Sequence, residues 1–125
     1  MSDTKLCSLC GQKNETPVHL FSNCNKTRTL GNGLRDKLKN SIPLGPLTPQ
    51  SAIFGYTRNT DDINTQNHLL LLFKCFVFKY RKKSPNLIFL YDYIKSIADL
   101  EKASCEAPVK LTKIINKWER IIPFL

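Results

Sequence analysis

Cys7-Ser-Leu-Cys10-Gly11 and His19-Leu-Phe-Ser-Asn-Cys24 place three thiols and one imidazole within eighteen residues, the donor set of a tetrahedral metal site. In a reducing compartment, thiols clustered this tightly serve a metal rather than disulfides. Five cysteines is an odd number for a disulfide framework, and no signal peptide precedes them. The expected ion is zinc, held by Cys7, Cys10, His19 and Cys24. With all four positions filled by protein, the site is structural rather than catalytic. The competing reading is a reduced, cysteine-rich terminus without metal.

The local pattern states how these donors meet. Two residues between Cys7 and Cys10 suit a turn that aims both sulfurs at one ion, and Gly11 supplies the permissive backbone. Thr16-Pro17 reads as a helix cap followed by proline at the first helical position, so His19 lies on a short helix. Cys24, five residues on, would sit about 140° around an ideal helix from His19. Both can reach one ion only if the helix tightens or ends near Ser22-Asn23. Three thiolates and a neutral imidazole leave zinc with a charge of about −1, which Lys5, Lys13, Lys26 and Arg28 can offset.

With Glu15-Thr16-Pro17 just upstream of His19-Leu-Phe-Ser-Asn-Cys24, the segment resembles the zinc-binding region at the C-terminal end of reverse transcriptases from non-LTR (LINE-type) retrotransposons. The resemblance continues more loosely through Ile53-Phe54-Gly55 and Asn67 to Lys74. It departs where the family has a tryptophan after the last ligand, because this chain has Leu30 and then Gly31-Asn32-Gly33. The helix there is therefore expected to be shorter or less firmly packed. The resemblance implies a role beside template RNA or target DNA in target-primed reverse transcription, with the polymerase portion of a retrotransposon protein as a possible partner. No Tyr/Phe-x-Asp-Asp polymerase motif is present. Asp61-Asp62, the one adjacent acidic pair, reads instead as charge at a helix N-terminus. Enzymatic activity is not expected of this chain.

Composition agrees with a basic helical protein. Hydrophobic residues make up 42%, enough for a core, and no apolar run approaches the ~20 residues of a membrane span. The expected location is intracellular, nuclear or cytoplasmic, and not secreted. Nineteen Lys and Arg against ten Asp and Glu give a formal +9, which favours polyanions. The charge concentrates in two segments: Lys26, Arg28, Arg35, Lys37 and Lys39, then Lys74, Lys79, Arg81, Lys82 and Lys83. These are the candidate nucleic-acid contacts. The alternative is a structural element that docks on a larger polymerase body without touching nucleic acid.

The fold class expected is mostly α, a small N-terminal CCHC unit followed by a helical bundle. Residues 1–40 carry the metal segment and a basic helix. Residues 41–50, with Pro43, Gly45, Pro46 and Pro49, form a linker, and 51–125 form a basic helical domain. Thr48-Pro49 caps a short helix stopped by Gly55. A long helix spans about 62–83, burying Leu69, Leu72, Phe73, Phe76, Val77 and Tyr80, with Lys74, Phe78, Arg81 and Lys82 opposite. Lysine or arginine beside Phe78 or Tyr80 suits phosphates and unpaired bases, although a solvated helical face carries such charges as well. Cys75, inside an apolar run, reads as a buried hydrophobe, and Cys105 as exposed. Ser84-Pro85 caps the next helix, which buries Ile88, Tyr91, Ile94 and Ala98. A last helix after Pro108 places Leu111, Ile114, Ile115, Trp118, Ile121 and Ile122 on one stripe, with Trp118 as a packing anchor. His68 has no catalytic partner at recognisable spacing.

Overall fold

Among the described residues, five α-helices bury the apolar stripes of the sequence. The structure, a computed structural model, describes residues 6–11, 14–45, 47–57 and 62–125. The expectations that concern Lys5, Lys13, Pro46 and Asp61 lie outside the described residues. A one-turn π-helix, His19–Asn23, leads into α1 (Asn25–Leu38), α2 (Pro49–Phe54), α3 (Ile63–Tyr80), α4 (Leu87–Ser104) and α5 (Pro108–Glu119), with a closing 3₁₀ turn at Ile122–Phe124. Among the described residues the sole β pairing is an isolated antiparallel bridge between Leu6 and Asn14. The protein is mostly α, with the Cys/His cluster at its amino end.

Helix α1 runs unbroken through Gly31-Asn32-Gly33, so the expected shortening does not occur. The reason is packing: Leu30, Gly31, Leu34 and Leu38 are buried on one face. Close approach replaces side-chain bulk at Gly33, where a Cβ would lie 2.6 Å from the Leu87 Cδ1 at the start of α4. Helix α2 begins as Thr48-Pro49 predicts. Ser51 N donates to Thr48 Oγ1 (3.1 Å) and Thr48 N to Ser51 Oγ (2.9 Å), a reciprocal cap. Gly55, at φ +81°, closes it.

Helix α3 buries Leu69, Leu72, Phe73, Phe76 and Val77, as its period requires, with Tyr80 half-buried. Cys75 is exposed, not buried, because it lies on the side turned away from that stripe. The cap of α4 is Asn86, whose Oδ1 accepts from Phe89 N (3.0 Å), rather than Ser84. Its buried residues are Leu90, Ile94 and Ala98, and Ile88 points to solvent, which corrects the expected face by a fraction of a turn. In α5, Trp118 is fully buried and Ile121 follows it inside.

One apolar core joins these elements, from Cys7, Leu20 and Cys24 through Leu34, Phe73, Phe76, Leu90 and Ile94 to Trp118 and Ile121. The connection 41–50 is fastened to it. Ile42 is buried, Ser41 Oγ donates to Arg120 O (2.5 Å), Gln66 Nε2 to Pro43 O, and Tyr56 Oη to Gly45 O (2.9 Å).

Candidate metal centre

The amino-terminal donors are brought together by two turns. In the first, Gly11 N donates to Cys7 O (2.8 Å), and Gly11 takes φ +67°, a left-handed conformation that a side chain would strain. Ser8 N inside this turn donates to Glu15 Oε1 (3.1 Å). In the second, Thr16 Oγ1 accepts from His19 N (3.1 Å), the cap the sequence indicates.

The irregularity required between His19 and Cys24 is present, but as a widening rather than a tightening. Cys24 N donates to His19 O (2.7 Å), an i to i+5 bond that closes a π turn and returns residue 24 to the side of residue 19. Ser22 Oγ takes Val18 O (2.6 Å) and Thr27 Oγ1 takes Leu20 O (2.6 Å), so carbonyls around the wide turn remain bonded. Cys24 is extended and caps α1, which joins the site to that helix without an intervening loop.

The four donor atoms lie within 4.8 Å of one another. Cys7 Sγ is 3.8 Å from Cys24 Sγ, and Cys10 Sγ is 3.3 Å from His19 Nε2, so the imidazole edge facing the thiols is Nε2. Cys7, His19 and Cys24 are buried and Cys10 is half-buried. Burial pushes the Cys7 thiol up, only partly opposed by backbone donors from Cys10 and Leu9. Such a cluster is close enough to bind a metal ion, and the ion would supply the charge that three thiolates need.

Glu15 ties this unit to the bundle. Its carboxylate lies 3.4 Å from Arg81 Nε at the end of α3. Burial would raise its pKa, but the Ser8 N–H and the charges of Arg81 and Lys82 hold it below the usual carboxylate range. Sequence spacing gives no signal for this tether, because its partners are far apart in the chain.

The predicted basic residues divide into two groups. Lys26, Arg28, Lys37, Lys39, Lys79, Lys82 and Lys83 are exposed, although Lys39 pairs with Asp36 at 3.4 Å and Lys79 lies 5.4 Å from the Tyr80 ring centre. Arg35, Lys74 and Arg81 are half-buried and engaged: Arg35 Nε donates to Leu44 O (3.4 Å), and Lys74 Nζ to Ala52 O (2.8 Å). Arg81 Nη1 donates to Phe78 O (2.5 Å), with its guanidinium carbon 4.2 Å from the Phe78 ring centre.

Two further charged groups were not legible in the sequence. Asp62 at the start of α3 receives Arg120 through two bonds, Nη1 to Oδ1 (2.8 Å) and Nη2 to Oδ2 (3.1 Å). That pairing holds its pKa down, against a smaller effect of burial. His68 joins three helices. Its Nδ1 is 3.3 Å from Lys117 Nζ and its Nε2 4.0 Å from Glu101 Oε2, while Lys117 and Glu101 are paired at 2.6 Å. Its ring meets Trp118 edge-on at 5.7 Å. Among the described residues no helix is long and apolar enough to cross a membrane. No protein family matches the chain, and no curated protein and no solved structure matches it.

Proposed function

We propose that Cys7, Cys10, His19 and Cys24 hold a structural zinc ion, and that the chain is a non-catalytic nucleic-acid-binding module. The donor separations support zinc. Four ligands at tetrahedral corners, with Zn–S about 2.3 Å and Zn–N about 2.1 Å, stand about 3.8 Å apart for sulfur pairs and about 3.6 Å for sulfur and nitrogen. The Cys7–Cys24 pair stands at 3.8 Å and the Cys10–His19 pair at 3.3 Å, with all four donors within 4.8 Å of one another. Three thiols select a soft or borderline ion over magnesium or calcium, and four protein donors, three of them buried, leave no open position for catalysis.

The observation that carries the nucleic-acid reading is the continuity of this unit with exposed cations. Cys24 caps α1, whose Lys26, Arg28 and Lys37 face solvent, and Glu15 fastens the same unit to α3, beyond which Lys82 and Lys83 are exposed. A metal-fixed terminus would thus hold both basic segments in a fixed relation, and the formal +9 supplies the attraction. In this reading the chain serves, like the retrotransposon region it resembles, to hold template RNA or target DNA for a polymerase. Polymerase chemistry has no support here, since Asp62 is occupied by Arg120.

Fluorescence anisotropy with a labelled oligonucleotide tests the reading. If about five phosphates of a single strand are neutralised, log affinity falls with log salt at a slope near about −3.5. The informative variants are Lys82→Glu with Lys83→Glu and, separately, Lys26→Glu with Lys37→Glu, because these side chains are exposed while Arg81 supports Glu15. Each pair should weaken binding; Lys26→Glu with Lys37→Glu should leave the thermal midpoint unchanged, and Lys82→Glu with Lys83→Glu should lower it only slightly, because Lys82 adds to the charge that favours the Glu15 carboxylate. A flat salt response, or full binding in both variants, would leave only a structural element that docks on another protein.

A further inference from the structure

Helix α3 presents a second face on which apolar Leu71 and Phe78 alternate with polar Asn67 and Lys74. Residues 67, 71, 74 and 78 are spaced four, three and four apart, and so share one face of the helix. Two of them clasp the end of α2. Asn67 Oδ1 accepts from Tyr56 N (2.7 Å) while its Nδ2 donates to Tyr56 O (3.1 Å), and Lys74 holds Ala52 O. The clasp sets the last turn of α2 beside this face, and its apolar residues stay uncovered: Leu71 is 53% exposed, Phe78 56%, Ile53 50% and Phe54 79%. Two phenyl rings and two aliphatic side chains are thus left in water on adjoining elements. Removing them from water would be favourable by about 1.5–3 kcal/mol for each large side chain fully covered, so these two adjoining elements offer apolar side chains to a ligand that can cover them.

Resting on the nucleic-acid reading above, we propose that this ridge is the platform on which unpaired bases stack. The charge around it is what selects that occupant. Arg81 lies against Phe78, and Lys79, Lys82 and Lys83 continue from the same end of the helix. An exposed aromatic ring set among cations, as Phe78 is, matches a single strand, whose bases offer π faces and whose phosphates need positive charge. A duplex keeps its base faces covered, so it engages the cations and not the rings. The ridge therefore makes the protein prefer single strands to duplexes of equal charge, with little dependence on sequence, because every base has a π face.

Anisotropy with a labelled oligothymidylate and with a matched duplex tests this. Phe54→Leu and Phe78→Leu keep an apolar side chain at exposed positions and remove only the ring. Each should weaken single-strand binding about tenfold, leave duplex binding and the salt slope unchanged, and leave the thermal midpoint unchanged. Phe78→Trp should restore full single-strand binding. Leucine variants that bind the single strand like the parent protein overturn the stacking platform, yet leave the nucleic-acid reading standing if Lys82→Glu with Lys83→Glu still weakens binding. A parent protein with no salt-dependent binding at all overturns both. Sedimentation showing a dimer that Phe54→Lys dissociates would make the ridge a contact between copies of the chain, and would overturn the platform as well.

Discussion

Replacing Cys24 by serine keeps nearly the same volume and removes one proposed zinc ligand. Cys24 is the donor most embedded in the fold, since it is fully buried, closes the π turn by donating its N–H to His19 O, and caps α1. Loss of outer partners that only orient a ligand typically weakens metal binding 10- to 100-fold. A direct donor must count for more, so the variant should bind zinc about 100-fold more weakly or worse. By linkage, a metal that binds only the folded state stabilises it by its affinity, so 100-fold is about 2.7 kcal/mol. Domains of this kind have about 5–15 kcal/mol in total, and for a chain of this length the thermal midpoint should fall by about 10 °C. The control is Cys75→Ser, exposed on α3, which should leave the midpoint unchanged. Calorimetry with and without a chelator supplies the second arm. The chelator should lower the parent protein at least as far as Cys24→Ser, and should lower the variant by less than it lowers the parent. If the parent melts identically with and without chelator, and Cys24→Ser costs no more than Cys75→Ser, there is no metal in the folded protein and the site is a packed thiol cluster.

The other expectations concern the bundle. Gly31→Ala should stabilise by about 0.5–1 kcal/mol, because a mid-helix glycine is unfavourable and the new Cβ meets Phe73 and Leu47 at ordinary contact distances of 3.5 and 3.6 Å. Gly33→Ala should show no such gain, since Leu87 must move, and denaturant midpoints compare the two. His68 gives a pH signature: burial first, then Lys117, lowers its pKa in the folded state, with Glu101 opposing. The folded state therefore holds fewer protons than the unfolded one below about pH 6.5. Stability is level above that value and declines as pH falls toward the lowered folded pKa, at up to about 1.4 kcal/mol per pH unit. His68→Gln should remove this decline, and taking the difference between the two proteins cancels the contribution of the thiols. Parallel curves for parent and variant below about pH 6.5 would show that His68 does not carry it. The lowered carboxyls of Glu15 and Asp62 act in a separate window, losing their contribution only below about pH 4.5.

What the sequence discloses and what it hides follow from the range of the interactions. Local chemistry is legible: Thr16-Pro17, Thr48-Pro49 and Pro108 start helices, Gly55 stops one, and the Cys/His spacing forces an irregular turn. The direction of that irregularity is not, because a five-residue separation can be closed by winding a helix more tightly or by widening it. The choice falls to the bond from Cys24 N to His19 O. Long-range pairs leave no local trace, which is why Asp62 with Arg120, 58 residues apart, and His68 with Lys117, 49 apart, needed the folded chain. Failures of face assignment have a different cause. On α4, Ile88 and Phe89 stand beside Leu90 and Tyr91, so the apolar period does not single out one side, and the approach of Gly33 to Leu87 sets the rotation.

Cys75 is the same failure on α3, and it carries functional weight. That helix has apolar residues in two rows, of which the bundle covers Leu69, Leu72, Phe73, Phe76 and Val77, leaving Leu71, Cys75 and Phe78 outside. A helix needs one apolar stripe to pack against a bundle. A second stripe is not required by the fold of this chain, lowers its solubility, and becomes favourable only when something covers it. Cys75, which its apolar run and not its helical period placed inside, thus marks the surface where the protein departs from what its own core demands, and that departure is the physical reason to look for a ligand on α3 rather than elsewhere on the bundle.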